Sequence, residues 1–211
     1  MALHDLIVLP RLTPTVAQTD LIVAYVEQGG KLLALLPDDQ LLRRFGMQPR
    51  WRGIAGGYLH PVGTQPALAG LCTEPVQIIV PATAWTLSSP TTVLAEVRAS
   101  ADPAVAEGIP GVVYLPVGQG AVVLWAYDLA YAVARLRQGD PAHADLCFAG
   151  LDGIYRPSEL FVGQLAVAQM LLPQADLQTA LLARTIGTIG PAATPLVLPG
   201  SQPTQCHAHD Q

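Results

Sequence analysis

Residues 5–46 read DLIVLPRLTPTVAQTDLIVAYVEQGGKLLALLPDDQLLRRFG, from Asp5 to Gly46, and this stretch decides the fold class. Leu6 to Leu9 is a continuous apolar run, the pattern of a strand buried on both faces of a parallel sheet. Thr13-Pro14 then predicts a helix start, with threonine as N-cap and proline at the first helical position. Val16, Leu21, Val23, Ala24 and Val26 supply an apolar face, while Gln18, Asp20, Glu27 and Gln28 supply a polar one. Gly29-Gly30 stops the helix, because the left-handed residue that follows a helix is least costly as glycine. Lys31 to Leu36 is a second apolar strand. Leu36-Pro37-Asp38-Asp39 turns into a short helix over Asp38 to Phe45, closed by Gly46. The result is a βαβα unit with a right-handed crossover.

Downstream, Val76 to Val80, Val93 to Val97, Val112 to Leu115 and Ala121 to Tyr127 are further strand candidates. TVLAEVR at 92–98 partly alternates, which suits a sheet edge with one wet face. Gly118-Gln119-Gly120 between two apolar runs predicts an antiparallel hairpin. Helices are expected over Asp128 to Gln138, with Leu129, Val133 and Leu136 inward, over Leu160 to Leu171 up to Pro173, and over Gln174 to Ile186. Residues 48–70 and 140–158 read as long irregular loops. The domain is expected to span 1–190, with 191–211 as a disordered tail rich in Gly, Pro and Thr.

Composition narrows the function classes. The 211 residues are 51% hydrophobic and 13% charged, ample for one buried core. A net charge of −5 argues against a nucleic-acid partner. No apolar stretch approaches the roughly 20 residues of a membrane helix, and MALHDLIVLPRL lacks the basic start and cleavage site of a signal peptide. A cytoplasmic location is therefore expected, with no membrane partner. Cys72, Cys147 and Cys206 are widely spaced and offer no C-x-x-C, so neither a disulfide scaffold nor a structural zinc site is expected. No Gly-x-Ser-x-Gly elbow, P-loop or Rossmann glycine pattern occurs, and no cofactor is expected.

The turn at 34–42 carries a resemblance. Ala34-Leu35-Leu36-Pro37-Asp38-Asp39-Gln40-Leu41-Leu42, ending at Phe45-Gly46, is similar to the elbow of the class I glutamine amidotransferase-like superfamily. There a Gly-x-Cys-x-Gly turn leads into a helix that begins His-Gln-Leu-Leu. Aligned on Gln40-Leu41-Leu42, Leu36 stands where the nucleophilic cysteine would be, and Ala34 and Asp38 replace the two glycines. Pro37 is expected to alter the turn. His60, His143, His207 and His209 lack the glutamate two residues on that the family's His-x-Glu requires. Asp128-Leu129-Ala130 and Arg137-Gln138-Gly139-Asp140-Pro141 resemble a motif of the non-catalytic branch, which includes the trimerisation-type domains of some β-galactosidases. The resemblance implies a flavodoxin-like three-layer sandwich, a mostly parallel sheet with one antiparallel hairpin, and no catalytic residue. Catalytic-type members carry an additional strand-helix unit before the first strand, so the resemblance implies either a domain trimmed at its N-terminus or a chain that is part of a longer polypeptide. The sheet edge so exposed favours self-association, or contact with other domains of a larger bacterial protein.

Five residues stand as ligand-binding candidates. Asp38 and Asp39 lie at the carboxyl end of a strand, where open α/β sheets meet ligands, and their carboxylates suit a sugar hydroxyl or a cation. The plainer reading is that Asp38 caps the next helix and Asp39 favours its first turn. Asp128, at the end of AVVLWAY, is either another N-cap or an acceptor paired with Arg135 or Arg137. An Asp128–Arg137 pair could orient an anion or polyol. Trp51, between Arg50 and Arg52, could stack on a sugar or simply anchor its loop. No metal ligand set is assigned. The expected function is a non-catalytic interaction or ligand-binding module. The rivals are a carbohydrate-processing hydrolase built on strand-end carboxylates, and a truncated remnant.

Overall fold

The computed structural model describes residues 5–50, 53–62, 75–87, 91–138 and 165–189. The elements in chain order are β1 (Leu6–Leu9), α1 (Val16–Glu27), β2 (Lys31–Leu35), α2 (Asp39–Arg44), β3 (Gln48–Pro49), β4 (Gly57–Pro61) and β5 (Val76–Ile78). They continue with β6 (Trp85–Thr86), β7 (Thr92–Arg98), β8 (Ile109–Val117), β9 (Gly120–Trp125), α3 (Leu129–Gln138) and α4 (Leu165–Ile189). Seven strands form one sheet in the order β1-β2-β9-β8-β7-β4-β5, and β3 pairs with β6 apart from it. The chain is an α/β protein. The loop expected over 140–158, the tail over 191–211 and all three cysteines lie outside the described residues.

The βαβα reading of residues 5–46 matches this architecture in its elements and differs in two details. The N-cap of α1 is Thr15, not Thr13: its Oγ1 accepts from Gln18 N at 3.3 Å while Gln18 Oε1 accepts from Thr15 N at 2.9 Å. That reciprocal pair is a capping box, which only the T-x-x-Q spacing of 15–18 can make. The buried face of α1 is Thr19, Val23 and Val26, whereas Val16 and Leu21 are 63% and 71% exposed. Thr19 can be buried because its hydroxyl accepts from Gln40 Nε2, at the start of α2, at 2.7 Å. Arg44 of α2 also meets Asp20 at 2.6 Å, on the surface of the same helix pair. Gln40, one of the residues that carry the family resemblance, thus serves to dock two helices.

The sheet is mixed, with fewer parallel pairings than a mostly parallel sheet would have. β1–β2 and β2–β9 are parallel, while β9–β8, β8–β7, β7–β4 and β4–β5 are antiparallel. Connection length is the reason: only residues 99–108 join β7 to β8, too few for the crossover of a dozen or more residues that parallel neighbours need. β7 is consequently an inner strand and not an edge. Register shifts around Ala95 break its alternation, which explains why its pattern suggests a half-wet strand. β3 and β4 fall inside the stretch that reads as loop. The helix expected to be interrupted at Pro173 runs unbroken over Leu165–Ile189.

The Gly118-Gln119 turn joins β8 and β9 as an antiparallel hairpin. It also docks on the end of α1: Gln119 N donates to Glu27 O at 3.0 Å, and Ala121 N to Gly30 O at 3.3 Å. The core is centred on β2 and β9, with Leu32, Leu33, Ala34, Val122, Val123, Leu124 and Trp125 fully buried. α3 contributes Leu129, Ala132 and Leu136, while Val133, expected inward, packs half-buried at the margin. α4 packs against α3, β5 and β9. Its buried Gln178 donates through Nε2 to the carbonyl of Gln77 at 2.7 Å, closing over strand β5. No helix among the described residues is long and apolar enough to cross a membrane.

Candidate functional site

The parallel strands β2 and β9 end side by side and launch α2 and α3, so the sheet presents Leu36–Asp39 beside Tyr127–Asp128. Leu35 pairs with Trp125, and Leu36 N extends the ladder by donating to Trp125 O at 3.0 Å. Leu36 has φ +47°, the only positive φ of a non-glycine residue among the described residues. A left-handed leucine costs about 1–2 kcal/mol. Such a sharp, strained strand-to-helix turn is the device that lifts a nucleophile off the end of a sheet. Pro37, expected to alter this turn, leaves the residue before it left-handed. The side chain so held is aliphatic, with no group to attack or to donate.

Two of the three neighbouring carboxylates, those of Asp38 and Asp128, are occupied with backbone. Asp38 Oδ1 accepts from Leu41 N at 2.9 Å, capping α2. Asp39 is exposed and reaches Arg43 at 3.4 Å, an i,i+4 surface pair of little energetic weight. Asp128 Oδ1 accepts from Tyr131 N at 3.0 Å, and Asp128 O from Ala132 N at 2.9 Å, so it caps α3. Among the described residues no group of three His, Cys, Asp or Glu side chains is placed to hold a metal ion. Trp51 and the side chain of Arg137 lie outside the described residues, as do Asp140 and Pro141 of the second motif. The structure thus brings Asp38, Asp39 and Asp128 to one end of the sheet, each with a local role.

Beside them stands an aromatic pair: Trp125, which reads from the sequence as a core residue of its strand and is one, and Tyr127. Trp125 and Tyr127 are fully buried, their rings edge-to-face with centroids 5.6 Å apart and an interplanar angle of 79°. Trp125 Nε1 and Tyr127 Oη have no hydrogen-bond partner among the described residues, and neither does Trp85 Nε1 on β6. Burial pushes the Tyr127 phenol well above its ordinary value near 10. The signal is present in WAYD, where Tyr127 follows the last strand residue Trp125 at i+2.

Tyr127 yields a pH prediction. Its folded pKa is raised, so below about pH 10 both states keep the proton and the group is silent. Above about pH 10 only the unfolded chain releases it, and stability falls by about 1.4 kcal/mol per pH unit from this group. Tyr127→Phe is expected to remove that alkaline slope in urea titrations between about pH 9 and 11. At neutral pH it should be neutral or stabilising by about 1 kcal/mol, because a buried hydroxyl without a partner among the described residues is lost. A loss above about 1 kcal/mol at neutral pH contradicts the assignment.

A shallow, open depression of 470 Å³ lies elsewhere, lined by Arg98 and residues 103–108. Its one cation is already used: Arg98 donates to Pro103 O at 2.7 Å and Ala106 O at 2.6 Å, and meets Glu96 at 2.6 Å. Arg98 holds the 99–108 connection in place and is not aimed at a ligand.

No family model matches the chain, and no curated protein does. Solved structures that resemble it do so distantly. An exo-β-1,4-mannosidase from an Opitutaceae bacterium, strain TAV5, aligns at a TM-score of 0.47 and 17% identity, over 64% of this chain and 23% of the enzyme. A cold-adapted β-galactosidase from Rahnella sp. R3 gives 0.46 and 18%, over 62% and 22%. A cytoplasmic protein from Salmonella typhimurium gives 0.47 and 15%, over 72% of each chain. The chain spans less than a quarter of the length of the two enzymes.

Proposed function

We propose that this chain is a non-catalytic, glutamine amidotransferase-like domain of flavodoxin-like three-layer type that acts as an interaction or ligand-binding module. It would do so within a larger bacterial protein or as an assembly of its own copies. One observation carries the reading. The strained elbow at the end of β2 is kept, with Leu36 at φ +47°, while the residue that would do chemistry there is a leucine. Strain of this kind is retained at functional sites and otherwise has no benefit to stability. Its retention without a nucleophile supports descent from a catalytic frame whose reaction has been given up.

The capping roles of Asp38 and Asp128 support the same reading. A carboxylate fixed on a backbone N–H is poorly free to act as an acid, a base or a sugar acceptor. The rival is a hydrolase using those strand-end carboxylates on a carbohydrate, and the Asp38–Asp39 pair separates the two. Asparagine caps a helix as well as aspartate does. Asp38→Asn/Asp39→Asn should therefore fold and behave as the parent chain under the module reading, and lose all turnover under the hydrolase reading.

A further inference from the structure

The two edges of the seven-stranded sheet are treated differently. At β5, α4 packs on the strand and Gln178 takes the Gln77 carbonyl, so that edge is closed by the chain itself. At the other edge β1 pairs with β2 alone among the described residues. β1 is LIVL, with no charge, proline or bulge inside the strand, the devices by which natural edges refuse a further strand. Val8, in mid-strand, is 44% exposed.

The residues flanking β1 indicate what covers it. Asp5 and Arg11 are both exposed, and neither is in an ion pair among the described residues. They lie equally far from Val8, one on each side. In an antiparallel pairing of two β1 strands about a two-fold axis normal to the sheet, opposite residues must share a face and so differ by an even number. The register centred on Val8 meets this condition. It sets Val8 against Val8, Ile7 against Leu9, Leu6 against Pro10, and Asp5 of each copy against Arg11 of the other. Apolar side chains meet apolar ones, and both ends close on opposite charges. Pro10, just past the strand, has no N–H and ends the ladder there, so Asp5 and Arg11 meet through their side chains alone.

We propose that β1 is a self-association edge, on which a second copy of this chain docks antiparallel in the register centred on Val8 and continues the sheet across a two-fold axis. The proposal rests on the interaction-module reading and gives it a surface. A closed two-fold contact of this kind is self-complementary and stops at two copies.

The test is sedimentation equilibrium on the full chain over a concentration series, with thermal melts to verify folding. The parent chain is expected to show a reversible monomer–dimer equilibrium. Val8→Lys, at an exposed position, should fold normally and be monomeric. Asp5→Arg should weaken dimerisation about tenfold, since two cross-strand pairs become repulsive, and Asp5→Arg/Arg11→Asp should restore it to within about threefold. A parent chain that stays monomeric throughout overturns the proposal and leaves the edge to a strand from outside this chain. A dimer that Val8→Lys does not weaken also overturns it, while leaving the module reading intact. Carbohydrate turnover that depends on Asp38 and Asp39 defeats the module reading, and a Val8-dependent dimer would still uphold this edge.

Discussion

Gly120→Ala is expected to destabilise the fold by at least about 3 kcal/mol, a large part of the ~5–15 kcal/mol that holds a domain together. Gly120 opens β9 where the 118–119 turn sits on the end of α1. A methyl group at this position would fall inside contact distance of two backbone carbonyls, those of Gly30 and Val26. Backbone atoms cannot rotate away as a side chain could. Either α1 lifts from the sheet or β9 shifts against β2, and both moves open the core at its best-packed strands. Two other glycines serve as controls. Gly29 has φ +105°, and the nearest atom of the described residues beyond its chain neighbours lies 3.8 Å from an added methyl, so Gly29→Ala should cost only the conformational penalty of about 1–2 kcal/mol. Gly187, in α4, has nothing among the described residues within 4 Å, and Gly187→Ala should stabilise by about 0.5–1 kcal/mol. Urea denaturation at constant slope measures all three. Equal losses for Gly120→Ala and Gly29→Ala would contradict the docking of turn on helix.

Trp125→Ala is expected to cost about 3–5 kcal/mol. The indole is fully buried in the strand that links the parallel and antiparallel parts of the sheet. Its removal leaves a cavity against Tyr127, whose ring it meets edge-to-face. The Trp125 carbonyl would still accept from Leu36, so the loss reports side-chain packing and not the elbow's ladder bond. Trp125→Phe should cost less than half as much: it keeps an aromatic edge and discards an Nε1 donor without a partner among the described residues. If Phe and Ala cost the same, packing is not what Trp125 contributes.

These two positions also show how far the sequence could be read. The βαβα unit was legible because apolar runs, a glycine stop and connection lengths agree over one short stretch. The GQG hairpin was legible as a turn, but its docking on α1 was not, since that contact joins Gln119 to Glu27 from far along the chain. The capping box at Thr15 is written in T-x-x-Q at 15–18, while Thr13-Pro14 just before it offers a competing helix start. The mixed pairing is not legible, because strands read at 93–97 and 112–115 leave 14 residues between them, enough for a crossover, and only the observed start of β8 at Ile109 shortens the connection to 99–108. Of the candidate site, the capping alternatives for Asp38 and Asp128 were written in the sequence as residues preceding helices. The left-handed Leu36 was hidden, because nothing in leucine announces a positive φ.

On this reading the elbow and its carboxylates are architecture. The decisive comparison sets the parent chain beside Asp38→Asn/Asp39→Asn for thermal stability and for release of sugar from a panel of aryl glycosides and oligosaccharides. An asparagine side-chain oxygen can accept from Leu41 N as the carboxylate does, so capping of α2 survives the exchange. Equal melting behaviour and no turnover are expected of both proteins. Turnover by the parent chain that vanishes in the folded double variant would contradict this.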